Sequence, residues 1–311
     1  MLSLKGSLAE KVDSQPAILF LGPSMKMGIE STARDSHEIT FEVARTGWEQ
    51  WFLLSSDRHH DNAHTNWDLE TKHLDEAVEK NAGILDFGDL HCAMQGKWDP
   101  RADTTQCRPE HQQGRYLDSL VETAAEFYEP YKENWLFMSP GNHETSILKR
   151  HETDLTERLA ERMGRSGTGT PVVGAYCGYI RFKAVREEGI SSGSLVLYYH
   201  HGYGGGGPVT RGVIQTNRMS VYLPDAAIVV SGHTHDSWVV PVTRSRITPN
   251  GRTHLDRQTH VKIPGYKDEF SGGDGWHNHR GGPPKPNGAH WLRIFYNKSE
   301  TCLDYEILEA R

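Results

Sequence analysis

Residues 135–144 read Trp135-Leu136-Phe137-Met138-Ser139-Pro140-Gly141-Asn142-His143-Glu144. The four apolar residues predict a short strand, closed by Ser139-Pro140-Gly141. The turn then presents an amide, an imidazole and a carboxylate. The same format recurs four more times. Trp51-Phe52-Leu53-Leu54 runs through Ser55-Ser56 into Asp57-Arg58-His59, and Ile84-Leu85-Asp86-Phe87 runs into Gly88-Asp89. Leu195-Val196-Leu197-Tyr198-Tyr199 ends in His200-His201-Gly202, and Ala226-Ala227-Ile228-Val229-Val230 leads to Gly232-His233-Thr234-His235. Metal-ligand side chains at successive strand ends converge on one edge of a sheet, and glycine at the turns lets backbones approach where a Cβ would collide. One such motif is commonplace among surface and core histidines. Five in order are not.

The segments between them carry helical periodicity. Residues 67–81 place Leu69, His73, Leu74 and Ala77 near one face, and residues 110–132 repeat Leu117, Leu120, Val121, Ala124, Phe127 and Tyr128 at close to 3.6 residues. Residues 154–163 form a shorter helix, with Thr153 or Asp154 as N-cap and Gly164 as its stop. Strand-like runs precede the first motif at 17–21 and 38–46. More follow at 176–185, 194–199, 226–230, 237–242, 259–263 and 290–296. Strand–helix–strand early and many strands late predict an α/β chain, a β-sandwich flanked by helices. We read residues 1–311 as one domain: N-terminal strands over 1–50, a motif core over 51–236, and C-terminal strands with a Gly/Pro-rich loop over 237–311. That loop, residues 271–287, contains Trp276, His277 and His279 as a candidate lid.

Composition narrows the chemistry. The 311 residues include 18 His but only 4 Cys, and Cys92, Cys107, Cys177 and Cys302 form no CxxC pair. A disulfide scaffold and a thiolate zinc module are excluded, while imidazole and carboxylate metal chemistry stays open. The net charge of -7 argues against a broad nucleic-acid-coating surface. The apolar runs are too short for a membrane span or a signal-peptide core, so the expected setting is cytoplasmic, with no membrane partner. Gly204-Gly205-Gly206-Gly207 lacks the P-loop layout.

The series DxH, GD, GNHE, HG and GHTH resembles the calcineurin-like metallophosphoesterase superfamily, in a style similar to its phage and bacterial members. The resemblance spans residues 51–236. It implies a four-layer α/β/β/α sandwich of the metallophosphoesterase type and a site for two divalent metal ions. By the same resemblance, Asp57, His59 and His235 bind one ion; Asn142, His233 and one histidine of the His200–His201 pair bind the other; Asp89 bridges both. Members with an HG signature use the His directly before Gly, which favours His201 and leaves His200 as a supporting or substrate-facing imidazole. His143 is implied as the general acid, with Glu144 expected to orient it.

Imidazole and carboxylate donors suit Mn, Fe, Ni or Zn. The resemblance implies a phosphoester hydrolase, with phosphodiesters the expected substrate, cleaved by hydroxide generated at the ions. The alternatives are a DNA or RNA nuclease of the repair-exonuclease type, a phosphomonoesterase, and an inactive binding scaffold. A protein Ser/Thr phosphatase is disfavoured, since Gly88-Asp89-Leu90-His91-Cys92 departs from GDxVDRG. A nucleotide or nucleic acid is a candidate phosphoester partner. Further substrate-binding candidates are His91, Lys97 and Arg101, then Arg108 and Arg115. His60, Asp61 and His64 follow the first motif as supporting residues.

Overall fold

In the computed structural model the described residues are 18–21, 25–44, 47–94, 106–164, 171–186, 191–205, 213–271, 276–279, 281–299 and 302–311. Two sheets organise them. The first has six strands in the order β14-β13-β4-β5-β6-β7. Its centre is β4 (Glu49–Ser55), β5 (Gly83–Asp86), β6 (Trp135–Met138) and β7 (Val172–Val173), mutually parallel. The flank is β13 (His290–Asn297), antiparallel to β4, and β14 (Cys302–Glu309), antiparallel to β13.

The second sheet has eight strands, β1-β2-β3-β8-β9-β10-β12-β11. These are β1 (Ile18–Leu21), β2 (Met25–Ala33), β3 (Ser36–Glu42), β8 (Cys177–Val185), β9 (Ser191–His200), β10 (Ile228–Ser231), β11 (Trp238–Ile247) and β12 (Thr253–Lys262).

Alternation along the strands explains the layers. Phe52 and Leu54 of β4 join Leu85, Phe137, Ile39, Phe41, Phe182, Leu197 and Val230 in one core between the sheets. Leu53, Ile84, Trp135 and Met138 face the opposite way. They pack on α1 (Trp67–Glu79), α2 (Tyr116–Tyr128) and α4 (Leu155–Gly164) through Leu74, Ala77, Ala124, Tyr128 and Leu159. Strands buried on both faces read as continuous apolar runs, which is why β5 and β6 were legible. On the far face of the second sheet, Met219 of α5 (Val213–Tyr222) and Leu223 just after it pack with Val229, Tyr179 and Tyr198. The fold is mixed α/β, as the sequence predicts. Among the described residues no helix is long and apolar enough to cross a membrane.

Some elements differ from the sequence reading. The helix expected over 110–132 is α2 flanked by short 3-10 turns, Pro109–His111 and Glu129–Asn134. Pro130 lies at the start of the second turn, where its missing N–H and ring interrupt an α-helical ladder. A helix not expected, α3 (Asn142–His151), begins inside the third motif. Strands β2 and β14 and helix α5 were also not read. Lys97, Arg101 and Gly206-Gly207 lie outside the described residues, and the candidate lid falls partly there.

Candidate metal centre

All five motifs leave strand ends and meet where the two sheets adjoin: three follow β4, β5 and β6 of the six-stranded sheet, and two follow β9 and β10 of the eight-stranded sheet. Five of the eight non-glycine residues with positive φ among the described residues are motif residues: Asp57 (52°), His59 (47°), Asp89 (54°), His233 (74°) and His235 (52°). Left-handed backbone costs about 1–3 kcal/mol at such residues and clusters where function requires it. The loops are also interlocked. A Cβ on Gly88 would lie 2.6 Å from the Gly141 nitrogen, and one on Gly141 would lie 2.1 Å from Asp89 Oδ1. Neither turn tolerates a side chain.

Among the described residues three groups of ligand atoms converge: the two motif sets, and His59 with Cys92 and His143, where burial pushes the Cys92 thiol up to about 12 and keeps it from being a thiolate donor. In the first motif set, Asp57, His59 and His235 converge: His235 Nε2 lies 3.4 Å and His59 Nε2 4.0 Å from Asp57 Oδ1. The two Nε2 atoms are 3.2 Å apart. Asp57 Oδ2 accepts hydrogen bonds from the Ser56 hydroxyl at 2.7 Å and the His233 N–H at 2.8 Å. Its other oxygen is buried without a hydrogen-bond donor, aimed at the two imidazoles.

In the second set, Asp89, His201 and His233 converge, with His201 Nε2 3.1 Å from Asp89 Oδ2. The Asn142 amide joins them: its Oδ1 lies 3.2 Å from His201 Nε2, and the same corner is 2.7 Å from His233 Nδ1 and 3.2 Å from Asp89 Oδ2. Turned over, the amide nitrogen would donate to all three. A cation satisfies the same cluster with the oxygen inward. Asp89 groups with His201 and His233, not within the first set. Buried lone pairs facing one another without protons enough to pair them fit divalent cations, and N/O donors without a thiolate suit the metals expected.

His201 is the histidine that enters the site. Its Nδ1 lies 2.9 Å from the Phe87 carbonyl, which fixes the ring and leaves Nε2 facing Asp89, as an outer hydrogen bond does for a metal-ligating imidazole. His200 points to the other face of β9, where its Nδ1 accepts the Gly202 N–H at 2.8 Å. Burial would lower the pKa of His201, but the adjacent Asp89 carboxylate outweighs it and raises it to about 10. Burial opposes ionisation of Asp57 and Asp89 too. The neighbouring imidazoles, His235 for Asp57 and His201 for Asp89, win and hold both carboxyls well below the usual range. Burial and the nearby His143 and His235 push His59 down.

His143 sits between the sets. Its backbone N–H donates to Asp89 Oδ1 at 2.9 Å, its ring Nδ1 contacts the Cys92 carbonyl, and its Nε2 lies 3.7 Å from Asp89 Oδ2. The expectation that Glu144 orients this ring is corrected. Glu144 Oε2 accepts N–H groups of Asp89 (3.1 Å) and Gly141 (2.9 Å), and Oε1 accepts that of His91 (2.8 Å). Glu144 brackets the second and third motifs, and its reach back to Gly141 is the carboxylate half of a capping box at the start of α3. Burial, then the Asp89 charge, push its pKa up to about 8.

His91 is also corrected as a substrate contact: it is buried, with Nδ1 3.9 Å from Glu144 Oε1. Arg108 stacks over Trp67 at 4.2 Å and pairs with Glu110. Arg115 is exposed with Glu122 as partner. His60 is buried against Phe127 and Tyr128, and His64 is exposed.

Sequence reasoning missed Arg58, part of the support beneath the ligands. Arg58, between ligands Asp57 and His59, is fully buried and pairs with Glu70 at 2.6 Å and Asp86 at 2.7 Å. Its guanidinium lies 4.8 Å from the Trp135 ring centroid. The Asp61 carboxylate accepts the N–H groups of Cys92 at 2.5 Å and Ala93 at 2.9 Å, holding the segment whose carbonyl meets His143. An arginine between two ligand residues was the available signal for Arg58. Asp61 is among the supporting residues expected after the first motif.

No family model matches the chain, and no curated protein sequence matches it significantly. Among solved structures the chain is similar to a conserved Streptococcus pneumoniae protein described as a predicted phosphoesterase. Identity is 11%, with 85% of this chain and 92% of that one covered and a TM-score of 0.31. It is similar to Entamoeba histolytica Vps29 complexed with zinc at 10% identity, 84% and 100% coverage and TM-score 0.36. It is also similar to Plasmodium GAP50, an anchor in the inner membrane complex, at 10% identity, 85% coverage of both chains and TM-score 0.41.

Proposed function

We propose that this chain is a two-metal phosphoester hydrolase of the calcineurin-like metallophosphoesterase kind, with phosphodiesters as its substrates. One observation carries the reading: two sets of ligand atoms at adjoining strand ends, Asp57/His59/His235 and Asp89/His201/His233 with Asn142, flank a histidine that belongs to neither. Asp57, His59 and His235 would hold one ion, and Asn142, His201 and His233 the other, with Asp89 between them.

Bound divalent ions would supply Lewis-acid polarisation of the phosphoryl group and an acidified water at neutral pH. The protein supplies the rest. Ser56 and the His233 N–H neutralise one oxygen of Asp57 and direct the other into the site. The Phe87 carbonyl keeps His201 Nε2 directed at Asp89. The Cys92 carbonyl accepts from His143 Nδ1–H, so a protonated ring offers its Nε2 proton to the site. From there it can be delivered to the departing alkoxide, general-acid assistance that contributes typically about 10²–10⁴-fold. Glu144 keeps the loops carrying Asp89 and Asn142 in register.

The test is a substrate panel on protein supplied in turn with Mn, Ni, Zn and Mg. It comprises bis-p-nitrophenyl phosphate, p-nitrophenyl phosphate, cyclic nucleotides, and single- and double-stranded DNA. Metal-dependent diester cleavage is expected. Cleavage of monoesters alone would transfer the chain to the phosphomonoesterases, and DNA cleavage without small-diester cleavage to the nucleases. Inertness with every metal would leave a binding scaffold.

A further inference from the structure

The strand ends that carry the metal ligands have a second face. Across the eight-stranded sheet, His200 pairs with Ser231, Ser231 with Lys262, and Lys262 with Trp238. Cross-strand partners point the same way, and this row points away from the inter-sheet core, toward α5. Lys262 is 5% exposed, and with Ser231, Gln215 of α5 and Trp238 it lines a small cleft under that helix.

The cleft is rich in donors. The Lys262 ammonium carries three N–H donors, and its one hydrogen bond among the described residues is to Ser231 Oγ at 3.3 Å. With Lys262 donating, the Ser231 hydroxyl can turn its own proton into the cleft, and Gln215 brings an amide. Among the described residues Lys262 has no carboxylate within 4 Å. The acidic groups acting on it from a distance, Asp57 and Asp236, make no ion pair with it: one oxygen of Asp57 is held by Ser56 and the His233 N–H, and one of Asp236 by Lys285 at 2.7 Å. A buried ammonium without a counter-charge is costly. Lys262, Ser231 and Gln215 can each donate a hydrogen bond to an anion in the cleft.

We propose that Lys262, Ser231 and Gln215 form a binding site for a tetrahedral oxyanion of the phosphate class, on the opposite face of the sheet from the metal centre. The site is separate from the ligand sets but joined to one of them covalently, because Ser231 is two residues before His233. An anion drawing Ser231 outward therefore acts on the Gly232-His233 turn. A phosphate-responsive site of this kind goes beyond the proposed hydrolysis and does not depend on it.

The test is isothermal titration of inorganic phosphate into the full-length metal-loaded protein, with metal content and bis-p-nitrophenyl phosphate turnover measured on the same samples. Wild type is expected to bind phosphate at a site that Lys262→Met weakens at least ~10-fold, the scale of a lost charge-assisted hydrogen bond, while Lys262→Arg retains it. Metal content is expected to be unchanged. Ser231→Ala and Gln215→Leu, which remove one neutral donor each, are expected to weaken the same site by smaller factors and serve if Lys262→Met does not fold. Phosphate binding of equal stoichiometry and affinity in wild type and all variants overturns the proposal, whatever the turnover results show. So does the absence of phosphate binding in a wild-type sample of full metal content.

Discussion

The Nε2 atoms of His59 and His235 lie 3.2 Å apart with their rings stacked at 30°, although the residues are separated by 176 positions. Two imidazole nitrogens at that distance share at most one proton, and the unpartnered Asp57 Oδ1 lies within 4.0 Å of both. A divalent cation pairs all three lone-pair donors at once.

His235→Ala is therefore expected to lose one of the two ions while Asp89, His201 and His233 keep the other. Elemental analysis should show metal per chain falling by about half, with turnover falling ~10²-fold or more, as for loss of a metal-site partner. Full metal occupancy in the variant would remove His235 from the ligand set.

His143→Ala should behave differently. The ring belongs to neither ligand set, so metal content is expected to match wild type while kcat falls by about 10²–10⁴. The loss should be smallest for diesters with a good leaving group such as p-nitrophenolate, which needs little protonation. Equal losses for good and poor leaving groups would argue against proton donation.

Arg58 tests the foundation. Glu70→Gln leaves the buried guanidinium with Asp86 alone, and Arg58→Leu strands two buried carboxylates. Breaking a buried pair costs about 3–5 kcal/mol, to be read from urea midpoints at constant slope. A loss under about 1 kcal/mol in both variants would mean that the network relaxes freely.

Acid should weaken the fold through histidines that are not ligands. Burial lowers the pKa of His290 to about 4, and His73 and His260 likewise. Each is neutral when folded, and when unfolded takes up a proton near pH 6.5. Their contribution is complete above pH 6.5, declines as pH falls toward 4, and changes no further below that. Each adds up to about 1.4 kcal/mol per pH unit to the slope in that window. His290→Gln is expected to flatten urea-derived stability against pH between 6.5 and 4 by up to one proton. An unchanged slope would show that His290 titrates normally in the fold.

Much of this was legible in residues alone, and for a definite reason. A buried parallel strand is a short apolar run, and a ligand-bearing turn after it is a local pattern. β4, β5, β6, β9 and β10 and the ligand types at their ends could thus be read without coordinates. Local pattern could not separate His200 from His201, because adjacent strand residues differ only in the face they present. In the fold it is the His201 ring that lies beside Asp89, while His200 turns to the Gly202 N–H. α3 escaped notice because Ser139-Pro140-Gly141 reads as a turn, and the carboxylate that caps the helix reads equally well as a catalytic partner. The histidine count followed the same division. Eighteen imidazoles and four thiols pointed to imidazole metal chemistry by composition alone. Which imidazoles face one another, that Glu144 holds loops rather than His143, and that Arg58 and Lys262 are buried cations depend on contacts between residues far apart in the chain. Those contacts exist only once the two sheets have closed on their shared core.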